Sequence, residues 1–361
     1  MASRAILFTG FPGFIGARLI PLLLDGDPEA TVVALVEPRM TQKAQAVAAE
    51  LGRGDRLRIQ AGDITKPALG LDAETYRGLT ADTVAVHHLA AVYDLAVPLS
   101  IAERVNVEGT QNVVDFCRAC PRLERHNYVS TSYVAGLRRG TVKEADLAAG
   151  QAFKNHYEST KFAAEVIVRA SMDDVPTTIY RPGIVVGDSR TGVTQKFDGP
   201  YYLLRTIASA VGRHAPIVQP GQMAAPFNVV PVDFVIDAIV TGAGDPAFVG
   251  ETLHLVDPDP ISAAELYALL CRAYAGKPPA FRLPWGLVDQ SLRLGTVRRL
   301  LGGTPRESLL YLNHQVRYDT ARATELLGRH GVRCPPAATY VGPMVAFFRE
   351  HEADPAFKPA G

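Results

Sequence analysis

The chain has 361 residues, 47% hydrophobic and 20% charged, which is ample for a large core and too apolar for a disordered protein. Its 37 Lys and Arg balance 37 Asp and Glu, so the basic footprint of a nucleic-acid binder is missing. The start of the chain lacks the pattern of a secretion signal, and no apolar run reaches the roughly 20 residues that span a bilayer. Four cysteines make no disulfide scaffold, and a cytoplasmic protein is expected. Cys117 and Cys120 form a lone C-x-x-C without a second pair or a ligand-spaced histidine, so no metal site is expected.

Arg4 to Thr9 is a short apolar run followed by Gly10, Gly13 and Gly16 and then by Leu19, Ile20, Leu22, Leu23 and Leu24. That order reads as strand, glycine turn and buried helix. Asp25 to Pro28 stops the helix, and Thr31 to Val36 is a second strand. A polar helix over Gln42 to Leu51 comes next, then a strand ending near Ala61 and a strand over Thr83 to Leu89. A helix over Ser100 to Cys117, a strand over His126 to Ser130, a helix over Tyr157 to Ala170 and a strand at Thr177 to Tyr180 continue the alternation. Strands that are apolar throughout, alternating with helices, predict an α/β fold with a doubly wound parallel sheet. Beyond Arg181 the alternation breaks, with helical patterns at Tyr201 to Val211, Ser262 to Tyr274, Gly286 to Leu301 and Ala321 to Leu327, and the Pro-rich C-terminal tail reads as surface-hugging chain. The apolar side of Trp285 to Leu301 reads first as a cover for the core; a roof over a lipid-like pocket or a face resting on a membrane surface are the alternatives.

The glycines fall in a strand, turn and helix context, where backbone amides and a helix N-terminus accept a pyrophosphate. Thr9, Gly10, Gly13, Phe14, Ile15 and Gly16 are therefore candidate cofactor residues. Asp63 and Ile64 follow the third strand, where a carboxylate can accept from an adenine amino group and an isoleucine can cover the ring. At the end of the second strand Glu37 suits the two ribose hydroxyls of NAD, whereas Arg39, with Lys43 near, suits a 2′-phosphate; the balance tips slightly to NADP(H) over NAD(H).

Tyr157 and Lys161 stand four apart, on one helix face. A phenol is a poor acid at neutral pH, and a neighbouring ammonium is expected to bring Tyr157 into working range as general acid. A run of hydroxyls at Ser130, Thr131 and Ser132 ends the preceding strand, facing the same crevice. His87 and His88 end a buried strand and read as packing residues without chemistry.

Taken in order, Thr9 to Gly16, Asp63-Ile64, Leu89-Ala90-Ala91, Asn106-Val107-x-Gly109-Thr110, Ser130-Thr131, the Tyr157/Lys161 pair and Arg181-Pro182-Gly183 resemble an extended short-chain dehydrogenase/reductase over most of the chain. The resemblance implies a Rossmann domain, with Thr131 as the catalytic hydroxyl, counted back from Val134-Ala135-Gly136. It also implies Asn106 as a further catalytic residue and Lys161 bonding the nicotinamide ribose. Leu89, Ala90, Ala91, Pro182, Gly183 and Val185 then line the cofactor. Residues 1–190 are expected to form the dinucleotide domain, with a returning segment near 226–258; residues 191–225 and 259–361 form the substrate-binding region.

Two longer stretches, Gly62 to Leu71 and Arg181 to Gly192, resemble fatty-acyl and carrier-protein thioester reductases of the male-sterility type. The expected reaction is reduction of an acyl thioester or of a hydrophobic aldehyde or ketone. With no room for a carrier or acyl-activating domain, the substrate is expected to arrive free, as an acyl-CoA, aldehyde or ketone, or linked to a separate carrier protein. The helices over Ala102 to Cys117 and Tyr157 to Ala170 are, by the same resemblance, those that pair in homodimers. Two alternatives stay open: a nucleotide-sugar epimerase or dehydratase of the same fold, and a non-catalytic dinucleotide-sensing regulator.

Overall fold

A computed structural model describes residues 3–93, 97–292 and 310–357. Seven strands form one sheet: β1 (Arg4–Thr9), β2 (Ala30–Val36), β3 (Leu57–Ala61), β4 (Thr83–His88), β5 (Arg125–Val129), β6 (Thr177–Pro182) and β7 (Thr252–Leu255). Their spatial order is β7-β6-β5-β4-β1-β2-β3, and every neighbouring pair is parallel. Helices cover both faces, which is why β1 and β2 are apolar without alternation. The chain builds outward from β1 to β3 and then returns to lay β4 against the other side of β1. That reversal opens a crevice at the carboxyl ends of β1 and β4, where ligands bind in sheets of this kind.

The helices follow from local sequence. α1 (Gly16–Gly26) buries Leu19, Ile20, Leu23 and Leu24 on one face. α2 (Thr41–Leu51) ends at Gly52, in the left-handed conformation that glycine adopts cheaply. α3 (Ala73–Asp82) is not apparent from periodicity because it buries little; its start is set by Asp72, whose carboxylate accepts from the amides of Glu74 and Thr75. The helix expected over Ser100 to Cys117 is a short turn at Leu99–Ala102, a π-helical stretch at Glu103–Glu108 and then α4 (Gly109–Ala119). α5 (His156–Ala170) is capped by Asn155, whose Oδ1 accepts from the Glu158 amide at 3.0 Å.

α6 (Tyr201–Gly212), α7 (Val232–Gly244), α8 (Ala263–Ala275), α9 (Trp285–Leu292), α10 (Ala321–Gly328) and α11 (Ala337–His351) complete the set used below. The helical pattern read for Gly286 to Leu301 is met by α9; from 293 onward it lies outside the described residues. One core fills the space around the sheet and includes Phe8, Leu19, Val32 and Ile239. A second gathers residues of α6, α8 and α11, among them Leu204, Ile207, Leu270 and Phe348. The C-terminal segment is therefore no surface-hugging tail. Tyr340, Val341, Met344, Val345 and Phe348 recur at helical spacing and are buried, and the prolines that obscure the pattern stand before α11 or inside it at Pro343. No helix among the described residues is long and apolar enough to cross a membrane.

One buried ion pair fastens α5 to the sheet. Arg181 on β6 donates from Nη2 to Glu165 Oε1 at 2.5 Å, and both side chains are fully buried. Ser130 donates to the other carboxylate oxygen at 2.6 Å and Arg169 to Oε1 at 3.0 Å. Burial pushes the Glu165 carboxyl up, but Arg181, Ser130 and Arg169 outweigh it and hold the group below its usual value. Removing Arg181 alone, as in Arg181→Met, leaves a charge buried with too few partners. The expected cost is about 3–5 kcal/mol in urea denaturation; a loss under about 1 kcal/mol would show that the pair does not anchor the helix.

Candidate active site

The glycine turn after β1 is held by backbone approaches that no side chain tolerates. Gly13 N donates to Gly10 O at 3.0 Å, and a Cβ on Gly13 would sit 2.7 Å from that same oxygen. A Cβ on Gly16 would lie 2.9 Å from it, and Gly10, at φ +94°, runs against Leu89. The turn therefore presents bare backbone at the start of α1, the environment that suits a pyrophosphate. Phe14, in the turn, lies under the Arg18 guanidinium, whose carbon is 4.2 Å from the ring centroid.

The other cofactor candidates ring the same crevice. Glu37 and Arg39 form an exposed ion pair at 2.7 Å just beyond β2. Asp63 accepts from the amide and hydroxyl of Thr65 at 2.9 and 2.7 Å, and burial is outweighed so that its carboxyl lies below the usual value. Ile64 packs against Gly109, where an added Cβ would fall 2.9 Å from its methyl group. Leu89, Ala90 and Ala91 follow β4 and remain half-buried. Pro182 ends β6, and Val185 pairs with Val230 beside it. Gly183 lets the chain pass Asn228, whose carbonyl oxygen would be 2.6 Å from an added Cβ. Thr9 is different: it is fully buried, and its hydroxyl lies 2.7 Å from His88 Nδ1 while receiving the Ala90 amide at 3.2 Å.

Among the three hydroxyls after β5, the structure draws a clear distinction. Ser130 is committed to Glu165. Thr131 is 3% exposed, accepts from the Tyr133 amide at 3.3 Å, donates to Pro182 O at 3.5 Å and lies close enough to the Tyr157 phenol to act on its pKa. Burial pushes the Tyr157 phenol up to about 12, with Thr131 pulling the other way.

Lys161 does not approach Tyr157 here. Its Nζ donates to Tyr128 Oη and to Val129 O, both at 2.9 Å. Burial lowers its ammonium to about 7, against the field of Glu165. Spacing alone puts the two side chains on one face, but the strand beneath offers the ammonium two acceptors, and in a buried setting those acceptors decide where it points.

Asn106 lies in the π-helical stretch and is 1% exposed. Its Oδ1 accepts from Val92 N at 2.8 Å, and its Nδ2 donates to Val92 O and to Thr160 Oγ1 at 3.1 and 3.0 Å. The amide is thus fully engaged in holding the chain after β4 against α5. Tyr128 is a residue of this site that the sequence motifs pass over. Strand alternation gives the signal, since residues 128 and 130 share a face of β5 and Ser130 meets α5. Among the described residues no group of three or more His, Cys, Asp or Glu can hold a metal.

Residues 8–239 match the profile of the family described as male sterility protein, and the chain belongs to that family. It is an NAD(P)-dependent oxidoreductase of the extended short-chain dehydrogenase/reductase type, in the branch that resembles thioester and fatty-acyl reductases. A linear gramicidin synthase of Brevibacillus parabrevis is 29% identical over 282 residues, which are 74% of this chain and 5% of that protein. The non-canonical nonribosomal peptide synthetase cpsA of Aspergillus campestris is 30% identical over 70% of this chain and 25% of its own length. Fatty acyl-CoA reductase wat of Drosophila melanogaster is 26% identical over 67% of this chain and 54% of its own length. The chain thus spans no more than about half the length of these relatives.

Among solved structures, the terminal R domain of the myxalamid PKS-NRPS pathway superposes with a TM-score of 0.80 and 26% identity, covering 99% of this chain and 93% of that one. UDP-glucuronic acid 4-epimerase of Bacillus cereus shares the fold at a TM-score of 0.66 and 19% identity, covering 96% and 99% of the two chains.

The glycine cradle fits a dinucleotide because it leaves no room for side chains where the pyrophosphate would lie. Gly13→Ala is expected to weaken NADPH binding by about tenfold or more, ~1.4 kcal/mol, and to lower the thermal midpoint, because its Cβ would meet Gly10 O at 2.7 Å. Fluorescence titration checks it, and undiminished affinity would remove the turn from the binding site.

Proposed function

We propose that this chain reduces the carbonyl carbon of an acyl thioester, carried by coenzyme A or by a carrier protein, with Tyr157 as the general acid. The observation that carries this reading is the Tyr157 phenol close to the Thr131 hydroxyl, at the carboxyl end of β5, on the helix that also bears Lys161. The printed names of relatives, a fatty acyl-CoA reductase and several peptide synthetases, support the thioester class. The bound dinucleotide supplies hydride.

In this reading the substrate oxygen accepts from the Thr131 hydroxyl and from the Tyr157 phenol. As the carbonyl carbon gains hydride, the phenol proton moves to the oxygen, and loss of the thiol from that carbon leaves an aldehyde. Burial opposes the first part. A phenol raised to about 12 keeps its proton at neutral pH but is a weaker acid than a free phenol, so the expected lowering by Lys161 is not met in this structure and would have to come with the ligands. In this reading the ammonium of Lys161, bonded to Tyr128 and Val129 in this structure, turns to the phenolate that results. Residues 191–225 and 259–361, including the second core, form the substrate-binding region.

For the cofactor, Arg39 favours NADPH: 78% exposed, it is free to exchange Glu37 for a 2′-phosphate.

Tyr157→Phe is expected to lower kcat with acyl-CoA about a hundredfold or more while NADPH affinity stays the same. A variant retaining parental turnover would end the acid role. Arg39→Ala is expected to raise KM for NADPH about tenfold, ~1.4 kcal/mol, and to leave NADH unaffected. Equal effects on both cofactors would remove Arg39 as the basis of the preference. Across acyl-CoAs, carrier-bound acyl groups and simple ketones, NADPH consumption confined to the ketones would discard the thioester class.

A further inference from the structure

Lys161 is the end of a buried chain of hydrogen bonds that begins at the glycine turn. From Lys161, 3% exposed, Nζ donates to Tyr128 Oη at 2.9 Å. Thr110 neighbours the Tyr128 hydroxyl and pulls its pKa down against the effect of burial. Thr110 donates to Asn106 O at 2.6 Å and lies 3.1 Å from His88 Nε2. His88 Nδ1 is 2.7 Å from the Thr9 hydroxyl, which receives the Ala90 amide at 3.2 Å. The Thr110 proton is taken by the Asn106 carbonyl, so its oxygen accepts from His88 Nε2–H, and His88 Nδ1 then accepts from Thr9. With that tautomer both ring nitrogens of His88 and the hydroxyls of Thr9 and Thr110 have partners.

His88 is well suited to be a fixed link. Burial and the nearby Lys161 charge hold its pKa well below the usual value, so the ring stays neutral and keeps one tautomer across the working range of pH. Four titratable groups face or neighbour the ammonium: Tyr128 from β5, His88 from β4, and Glu165 and Tyr157 from its own helix. Glu165 is held by Arg181, Ser130 and Arg169. That leaves Tyr128 as the only side chain bonded to the ammonium among the described residues, the second acceptor being the main-chain oxygen of Val129.

We propose that Tyr128, propped by Thr110 and His88, is the positioning residue that holds the Lys161 ammonium charged at the end of β5. The proposal rests on the reading of Lys161 as the partner of Tyr157 and adds the group that sets its protonation. Tyr128→Phe keeps the ring and its cation contact, with Nζ 4.4 Å from the centroid, and removes only the acceptor oxygen. An ammonium left with one acceptor in a buried site gives up its proton at lower pH.

The test is the titration of Lys161 by NMR in protein carrying 13C-labelled lysine, assigned by comparison with Lys161→Met. In Tyr128→Phe the Lys161 midpoint is expected to fall by about one pH unit, and in Thr110→Val by a smaller step in the same direction. The alkaline limb of kcat for NADPH-dependent reduction should move down with it, while KM for the acyl substrate stays fixed. An unmoved midpoint in both variants overturns the proposal, as does a uniform loss of kcat with the alkaline limb in place. A lowered midpoint in protein that reduces no thioester supports the role of Tyr128 and refutes the proposed function instead.

Discussion

Taking the Glu165 carboxylate out of water costs several kcal/mol, and the chain offsets that with donors from three elements. Arg181 reaches it from β6, Ser130 from the end of β5 and Arg169 from one turn further along α5. Because each partner is fixed by its own strand or helix, α5 has one register over the sheet. Arg181 adds bonds to the carbonyls of Glu144 and Asp146, extending the lock to the chain that precedes α5. Everything on the crevice side of α5 inherits its position from this anchor. Lys161 lies one turn from Glu165 and Tyr157 two turns from it, so the depth at which each stands below the strand ends is set before any ligand arrives. The anchor also sorts the hydroxyls. Ser130 belongs to Glu165, and Thr131 is the hydroxyl that acts on the phenol.

Burial acts on Tyr157 and Lys161 in opposite chemical senses. It disfavours charge on each, so the phenol retains its proton up to about 12 and the ammonium begins to release its proton near 7. Both effects work against proton transfer: a phenol at about 12 is a weaker acid than a free one, and a neutral amine offers the resulting phenolate nothing. The hydrogen bonds to Tyr128 and Val129 favour the charged amine, and the buried polar chain behind Tyr128 counters part of the cost of the dry surroundings.

The strands, the glycine turn and α1 are legible in the sequence because their signals are local. An apolar run, glycines at fixed spacing and leucines at helical period need no tertiary information. The same holds for α5, where the Tyr157 to Lys161 spacing falls within one helix. What spacing cannot supply is which of several acceptors a buried lysine takes. Tyr128 is 33 positions from Lys161, and their contact exists only because β5 lies under α5. Asn106 shows the same limit: its place in a family-like motif is visible, but its bonds to Val92 and Thr160 depend on the π-helical stretch. The C-terminal helix α11 is hidden for another reason. Pro335, Pro336 and Pro343 read as breakers, yet the first two precede the helix, and the apolar residues around the third still find the second core.

Helix α5 packs through Ala164 and Val168 against Val114, Tyr128 and Ile179, and its two ends are tied to different parts of the chain. Its C-terminal half is tied to the sheet through Glu165. Its first turn is tied to the C-terminal region, because Tyr311 accepts from the capping residue Asn155 at 2.9 Å and donates to Glu158 at 2.8 Å. Glu158 is fully buried and also pairs with Lys154 at 2.9 Å, whose ammonium lies 5.5 and 4.8 Å from the rings of Tyr133 and Tyr311. Both residues that fix the start of the helix, Asn155 and Glu158, flank Tyr157 in sequence. The turn that carries Tyr157 is therefore set from the C-terminal region through Tyr311, while the rest of the helix is set from the sheet through Arg181.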